Sequence, residues 1–373
     1  MKPTLAGVRV VELGTYVAAP ALGNMLGILG ADVVKVEPPK GDPTRKTTPW
    51  SWVNYNWNKK SVALDLKSEA GVRAMKKLLA TSDVLIESLS PRAIDELGLD
   101  FGHVRKINPR IVHCSIKGFA HDSSSAERLG FDTIAQAEGG LMHVVRGEDG
   151  KPSRVGNPSV DLTSATFGAV GVLAALLQKP RRATYVEVPL FDVVVYWNGY
   201  WLPFIDIYGE EPSHLGSSHP GFSPYGVFSA KDGYVFVGVL SDPQWAKLVE
   251  KLKLSCPSSY GVAEERIRMR EEVNAAVQGA VGGYSAGEML ALLGQAVPCA
   301  RVTTLTEIHD NEELRRRGTV REVVFEGKRF SVALPPLLHR YSKKGERRLP
   351  ALGRLGNARA HRRRRRKFRL GET

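Results

Sequence analysis

Cysteine is scarce: the 373-residue chain has three, Cys114, Cys256 and Cys299. They lie far apart, so they give neither a metal-binding spacing nor an even disulfide framework. That usage fits a reducing compartment, and a cytoplasmic location is expected. No run of about 18 apolar residues occurs, so no transmembrane helix and no membrane partner is expected. The opening MKPTLAGVRVVELG lacks the apolar core of a signal peptide and reads as the approach to a strand. The G-x-G-x-x-G fingerprint of dinucleotide sites is missing after that strand. No internal repeat is visible.

What is present is ordinary for a soluble globular protein: 43% hydrophobic and 24% charged residues. The length exceeds one usual core and predicts two domains. The net charge is +13, but seven Lys and Arg fall in residues 361–369 (HRRRRRKFR), which leaves +6 elsewhere. A basic tail can touch nucleic acid or acidic surfaces. A nucleic-acid binder interleaves basic and aromatic residues on a folded surface, whereas this tail has only Phe368. The tail is therefore read as a solvated terminus, and nucleic acid is not expected as a main partner. The remaining positive charge suits a small anionic ligand.

Residues 8–13 (VRVVEL) form a β-branched run, 21–29 a helix stopped at Gly30, and 31–36 (ADVVKV) a second strand. Such strand–helix–strand units build parallel sheets. Further strands are predicted over 58–66, 83–87, 111–116 and 184–189, with helices over 69–80 and 91–97. Residues 37–57, rich in Pro, Trp and basic residues, read as a loop. Trp50, Trp52 and Trp57 are either core anchors or an aromatic platform. Residues 190–207 read as one long apolar helix, buried in a core or an oligomer interface. A linker is expected over 210–223. A hairpin around Lys231-Asp232-Gly233 follows, then helices over 242–252, 263–280 and 285–295, and a last hairpin at Glu326-Gly327-Lys328.

The stretch 154–177 (RVGNPSVDLTSATFGAVGVLAALL) organises the rest. Asp161 precedes a small-faced helix, the place of an N-cap. At a cap, the helix dipole and free N–H groups lower a carboxylate's pKa, which would keep Asp161 ionised as a cap or as a nucleophile. Gly168, Ala169, Gly171, Ala174 and Ala175 would let a backbone or a ligand approach closely.

Several blocks together resemble the class III CoA transferases, the family of formyl-CoA and carnitine CoA transferases. They are 5–12 (LAGVRVVE), 26–37 (LGILGADVVKVE), 41–45 (GDPTR), 58–61 (NKKS), 64–67 (LDLK), 108–111 (NPRI), 117–119 (KGF), 130–132 (GFD), 158–161 (PSVD), 231–233 (KDG) and 297–300 (VPCA). In the family's order they run from Leu5 to about Gly318. The resemblance implies an α/β fold: a Rossmann-like, parallel-sheet large domain over 1–209 and 320–373, and a smaller α+β domain with linker over 210–319. It also implies an interlocked homodimer.

By resemblance, Asp161 is the catalytic nucleophile. It would move CoA from an acyl-CoA thioester to a carboxylic acid through aspartyl anhydrides and an aspartyl-CoA thioester. Coenzyme A is then a substrate, with no permanently bound cofactor and no metal. Ala18, Leu64, Lys67, Lys117 and Gly118 match the family's CoA-binding positions, the two lysines as point charges for phosphates. Other positions differ. Formyl-CoA transferases carry Gln, Arg, Asn-Phe and Arg where this chain has Val17, Pro38, Ser88-Leu89 and Glu96. Their glycine-rich loop is replaced by 216–221 (GSSHPG). These changes argue against formyl or oxalyl substrates. The alternative within the fold is an α-methylacyl-CoA racemase, which needs a Gly-His-Asp motif. Here Phe131 stands for that His and cannot move a proton.

Overall fold

Short runs of Val, Ile and Leu become strands because β-branched side chains pack well on a pleated surface. The computed structural model describes residues 3–147, 149–212, 216–336 and 351–352. The basic stretch 361–369 lies outside the described residues. The chain divides into two units: Met1–Leu141, Arg154–Asn198 and Asn311–Thr373 form the first, Met142–Ser153 and Gly199–Asp310 the second.

The first unit starts with β1 (Arg9–Leu13), α1 (Ala18–Ile28), β2 (Asp32–Glu37), α2 (Thr44–Thr47), α3 (Pro49–Asn56) and β3 (Lys60–Ala63). It continues through α4 (Glu69–Ala80), β4 (Val84–Glu87), α5 (Pro91–Glu96), α6 (Phe101–Ile107), β5 (Val112–Lys117) and α7 (Asp132–Glu138). Past α8 (Leu141–Val144), which passes into the second unit at Met142, the first unit continues with α9 (Ser159–Leu177), β6 (Thr184–Pro189) and α10 (Leu190–Asn198). The six strands form one parallel sheet in the order β3-β2-β1-β4-β5-β6. Val10 lies between Val33 of β2 and Val84 of β4. Helices cover both faces, so Val10, Val34, Leu85, Ile86 and Val112 are fully buried. The order reverses at β1, and doubly wound sheets bind ligands at the carboxyl edge near that switch.

Residues 37–57, expected as a loop, hold α2 and α3. Pro49 sits at the first position of α3, where its fixed φ suits a helix. Trp52 and Trp57 are buried in a cluster with Ile28, Val53, Val323 and Val332, while Trp50 is exposed. The segment 190–207 is not one helix: α10 ends at Asn198, and a new helix starts at Leu202. Tyr196, Leu202 and Ile207 in it are exposed rather than buried.

Under the carboxyl edge of β1 and β2 lies a sealed ion network. Glu12 is paired with Lys35 at 3.0 Å and Lys59 at 2.6 Å, all three buried. Lys35 also meets Asp42 at 3.0 Å and donates to the Gly14 carbonyl at 2.6 Å. Glu37 accepts both arms of Arg45 at 2.8 Å and the Ser61 hydroxyl at 2.5 Å. Three acids thus meet three bases, so no charge is left uncompensated away from water. The network fixes residues 41–45 and the loop leaving β1.

The second unit contains α11 (Leu202–Tyr208), β7 (Tyr225–Ala230), β8 (Gly233–Gly238), α12 (Asp242–Leu252), α13 (Ala263–Arg268), α14 (Arg270–Val281), α15 (Ala286–Leu293), β9 (Cys299–Arg301) and α16 (Leu305–Asp310). β7, β8 and β9 make an antiparallel sheet over a core of Val235, Val237, Trp245, Leu248, Val273, Val277 and Met289. The predicted 231–233 hairpin turn joins β7 to β8, with Ala230 opposite Gly233. The helix expected over 263–280 is broken at Met269 into α13 and α14. The first unit resumes with α17 (Glu312–Arg317) and the hairpin of β10 (Val320–Phe325) and β11 (Lys328–Ala333), whose turn is at Glu326-Gly327 as expected.

Candidate active site

Asp161 lies in the first turn of α9, the helix linking β5 to β6. In such a crossover the helix runs back along the sheet, which brings its N-terminus to the carboxyl edge. Asp161 is not the cap. Pro158 holds the N-cap position, and its side chain makes no capping bond. The free N–H groups of Val160 and Asp161 donate instead to Asp132 Oδ2, at 2.9 and 3.1 Å. Asp132, the buried first residue of α7, also accepts from Gln136 Nε2 at 2.5 Å. Gln136 Oε1 in turn accepts the Val155 N–H at 2.9 Å.

This arrangement reverses the expected electrostatics of Asp161. Its pKa is not lowered. Burial, reinforced by the Asp132 charge, pushes the carboxyl up to about 7. The donors that would have favoured its anion are taken by Asp132. Tyr55 of α3 is the other titratable group felt here: burial raises its phenol, and the Asp161 charge raises it further. A carboxylate of this kind is more basic, and hence a better nucleophile, than an ordinary Asp, while still part-ionised at neutral pH.

The small face of α9 is occupied by protein. A Cβ on Gly171 would come within 2.5 Å of Val186 in β6, and one on Gly168 within 2.9 Å of Leu22 in α1. By length and apolar composition α9 could cross a membrane; here it lies against β5, β6 and α1.

The five candidate CoA-binding residues lie along one edge of the sheet, after β1, β3 and β5, with three strands between β3 and β5. Ala18 is the buried first residue of α1. Leu64 follows β3, and its N–H donates to the Glu37 carbonyl at 2.9 Å. Lys67 is exposed, and its N–H donates to Asp65 Oδ1 at 3.1 Å. Lys117 ends β5 with a buried side chain, its ammonium 3.5 Å from Glu87. Gly118 abuts Gly130: a Cβ on Gly118 would stand 2.3 Å from the Gly130 Cα.

A family model described as CoA-transferase family III matches residues 5–355. The chain belongs to the class III CoA-transferases. The succinyl-CoA:glutarate CoA-transferase of Mus musculus is 32% identical over 337 residues, spanning 87% of this chain and 77% of the mouse protein. The succinyl-CoA:mesaconate CoA-transferase of Haloarcula marismortui is 31% identical, over 86% and 85% of the two chains. Among solved structures, a CAIB/BAIF family protein from Brucella suis superposes with a TM-score of 0.84 at 27% identity, covering 95% of this chain and 97% of that one. Rv3272 from M. tuberculosis gives 0.82 at 26%, covering 95% and 98%.

As a class III CoA-transferase the chain uses acyl-CoA and carboxylate substrates, and the racemase alternative is not favoured. Phe131 is 57% exposed just before α7 and carries no titratable group. Sequence reasoning missed Asp132, Gln136 and Glu87. Asp132 stood in the Gly130-Phe131-Asp132 block, but its bonds to α9 bridge 28 and 29 residues. No local pattern announces a cap supplied from that distance.

Proposed function

We propose that the protein transfers CoA between dicarboxylic acids, with Asp161 as the covalent carrier. The observation that carries the reading is the buried Asp161, its carboxyl raised to about 7 by burial and the Asp132 charge, in the first turn of α9 in a class III CoA-transferase. Its carboxylate attacks the thioester carbonyl of the donor. The C–S bond breaks, leaving an acyl-aspartyl anhydride and CoA thiolate. The thiolate attacks the aspartyl carbonyl, which frees the donor acid and forms an Asp161–CoA thioester. The acceptor carboxylate attacks that thioester, expels the thiolate and makes a second anhydride. The thiolate then takes the acceptor's acyl group, and Asp161 is restored as its carboxylate. No net proton or electron is exchanged, so the cycle needs neither ATP nor a redox partner.

Asp132 holds α9 so that the Asp161 carboxylate has a fixed origin. Leu64, Lys67, Lys117 and Gly118 place the CoA moiety, with Ala18 at the mouth of the β1 loop. Lys67 is the phosphate-facing charge, because it is exposed while Lys117 is held by Glu87. Dicarboxylates are favoured because the relatives carry glutarate and mesaconate in their names. The outer surfaces of α9 and α10 leave Phe167, Val170, Leu177 and Tyr196 exposed, which supports a homodimer. We place the enzyme in the cytoplasm.

The test mixes succinyl-CoA with a panel of mono- and dicarboxylic acids and follows new acyl-CoA by chromatography. Parallel samples are quenched with hydroxylamine and weighed intact. Transfer to dicarboxylates with a hydroxamate at Asp161 supports the proposal. Proton exchange at the α-carbon of a branched acyl-CoA, with no transfer, would overturn it.

A further inference from the structure

Two helices of the first unit, α1 and α9, run side by side away from the carboxyl edge of its sheet. A Cβ on Gly168 of α9 would stand 2.9 Å from Leu22 of α1, so these two residues are at one height. Val17, the N-cap of α1, lies five residues before Leu22, about 7.5 Å at the helical rise. Asp161 lies seven residues before Gly168, about 10.5 Å. The loop from β1 into α1 therefore comes level with Asp161 to within about one turn. α3 is tied to the same loop: Ser51 Oγ donates to the Tyr16 carbonyl at 3.4 Å. Tyr55 is four residues beyond Ser51 on α3, so the two share a face. The Asp161 charge acts on the Tyr55 phenol through space, as neighbours in a low-dielectric interior do.

Tyr55 is half-buried and its phenol is held from one side. The Asn54 amide hydrogen-bonds the phenol oxygen, and Asn54 Oδ1 accepts the Ala333 N–H at 3.3 Å. With its oxygen end taken, the amide presents its NH2 group to the phenol. The phenol oxygen then accepts, and its O–H is left to donate. Among the described residues no acceptor takes that O–H, and no donor reaches the Asp161 carboxyl. The N–H groups at the start of α9 cannot serve, because Asp132 Oδ2 holds those of Val160 and Asp161. An acyl carbonyl built on Asp161 needs a donor when it becomes an oxyanion. Tyr55 has the unengaged donor, and such bonds close only as the reaction proceeds.

We propose that Tyr55 is a further catalytic residue, its phenol donating a hydrogen bond to the oxyanion that forms on the Asp161 carboxyl group. The proposal rests on the reading of Asp161 as covalent carrier. When the CoA thiolate attacks the aspartyl carbonyl of the first anhydride, a C–S bond forms and the carbonyl π pair moves onto oxygen. Collapse re-forms the C=O bond and expels the donor acid as its carboxylate. The same oxygen is charged again when the acceptor carboxylate attacks the Asp161–CoA thioester and the thiolate leaves. Tyr55 keeps its proton throughout. The first attack, on the donor's own thioester carbonyl, does not use it.

The test compares the full-length enzyme as wild type, as Tyr55→Phe, and with 3-fluorotyrosine at position 55. Transfer from succinyl-CoA to glutarate is followed, and CoA release is measured separately with hydroxylamine present to intercept the first anhydride. Loss of one oxyanion donor predicts a fall in the kcat of transfer of about a hundredfold or more for Tyr55→Phe. Hydroxylamine-dependent CoA release should persist in that variant, a split that a merely structural role would not produce. The fluorinated enzyme keeps the O–H and should retain transfer. Wild-type transfer by Tyr55→Phe, or CoA release lost in proportion to transfer, overturns the proposal. Loss of transfer in the fluorinated enzyme overturns it as well, and that arm answers even if Tyr55→Phe does not fold. Neither transfer nor a hydroxylamine-trapped adduct in wild type would instead defeat the functional proposal itself.

Discussion

Asp132 Oδ2 accepts the backbone N–H of Asp161 at 3.1 Å, so one acid caps the helix that presents the other. The cap fixes the geometry of the first turn of α9, and its charge opposes ionisation of Asp161. Asp132→Asn keeps an acceptor oxygen and removes the charge. Acyl-CoA turnover in wild type should rise with pH to a midpoint of about 7, as Asp161 becomes ionised. In Asp132→Asn that midpoint should move to lower pH. A pH profile of kcat/KM checks this, and an unmoved midpoint would refute the charge effect.

The raised carboxyl also carries a stability cost. A group whose folded pKa lies above its unfolded value favours folding at low pH, and that contribution is lost as pH rises through the folded value. For Asp161 the loss falls between pH 4 and about 7. Asp161→Asn should therefore be more stable than wild type at pH 8, by on the order of 2 kcal/mol after discounting for partial solvent access. At pH 4 the difference should vanish. Urea unfolding at the two pH values measures it.

Gly118 and Gly130 touch backbone to backbone, two residues before Asp132. Gly118→Ala must push Gly130 away and drag the start of α7 with it. We expect destabilisation of about 1–3 kcal/mol, the range for overpacking, and a fall in kcat together with a rise in the KM for acyl-CoA. A variant with wild-type kcat would show that this contact does not set the position of Asp132.

The ion network beneath β1 and β2 has a different signature. Lys35→Met would leave Glu12 and Asp42 each short of a partner. Breaking a buried pair in this way costs about 3–5 kcal/mol. Thermal unfolding should show the loss even with substrate absent. A change below about 1 kcal/mol would mean that water enters the network freely.

Much of the fold was legible because its signals are local. The run from Arg9 to Leu13 is β-branched, Ser68 caps α4 with a hydroxyl that accepts the Gly71 N–H, and Gly233 opens β8 after a tight turn. Residues 44–56 misled for a physical reason. Proline and tryptophan suggest loops, yet Pro49 starts α3 and Trp52 is buried against Ile28 and the hairpin of β10 and β11. That hairpin lies some 270 residues further along the chain, beyond any local pattern. Asp161 was legible as a position but not in its chemistry. A carboxylate before an apolar run resembles a cap, and only the fold shows Asp132 taking the N–H groups. Lys117 was similarly visible as a charge at a strand end, while its pairing with Glu87 needed the register of β4 on β5.

The central claim is that Asp161 carries the acyl group through an anhydride. The most direct test supplies glutarate labelled with oxygen-18 in its carboxylates, together with succinyl-CoA, and maps the peptide containing Asp161 after turnover. The second anhydride breaks on the acceptor side, so one labelled oxygen should stay on the Asp161 carboxyl. A peptide two mass units heavier at Asp161 after one turnover, approaching four after many, is the predicted result. Full turnover with no label at Asp161 would contradict the covalent mechanism.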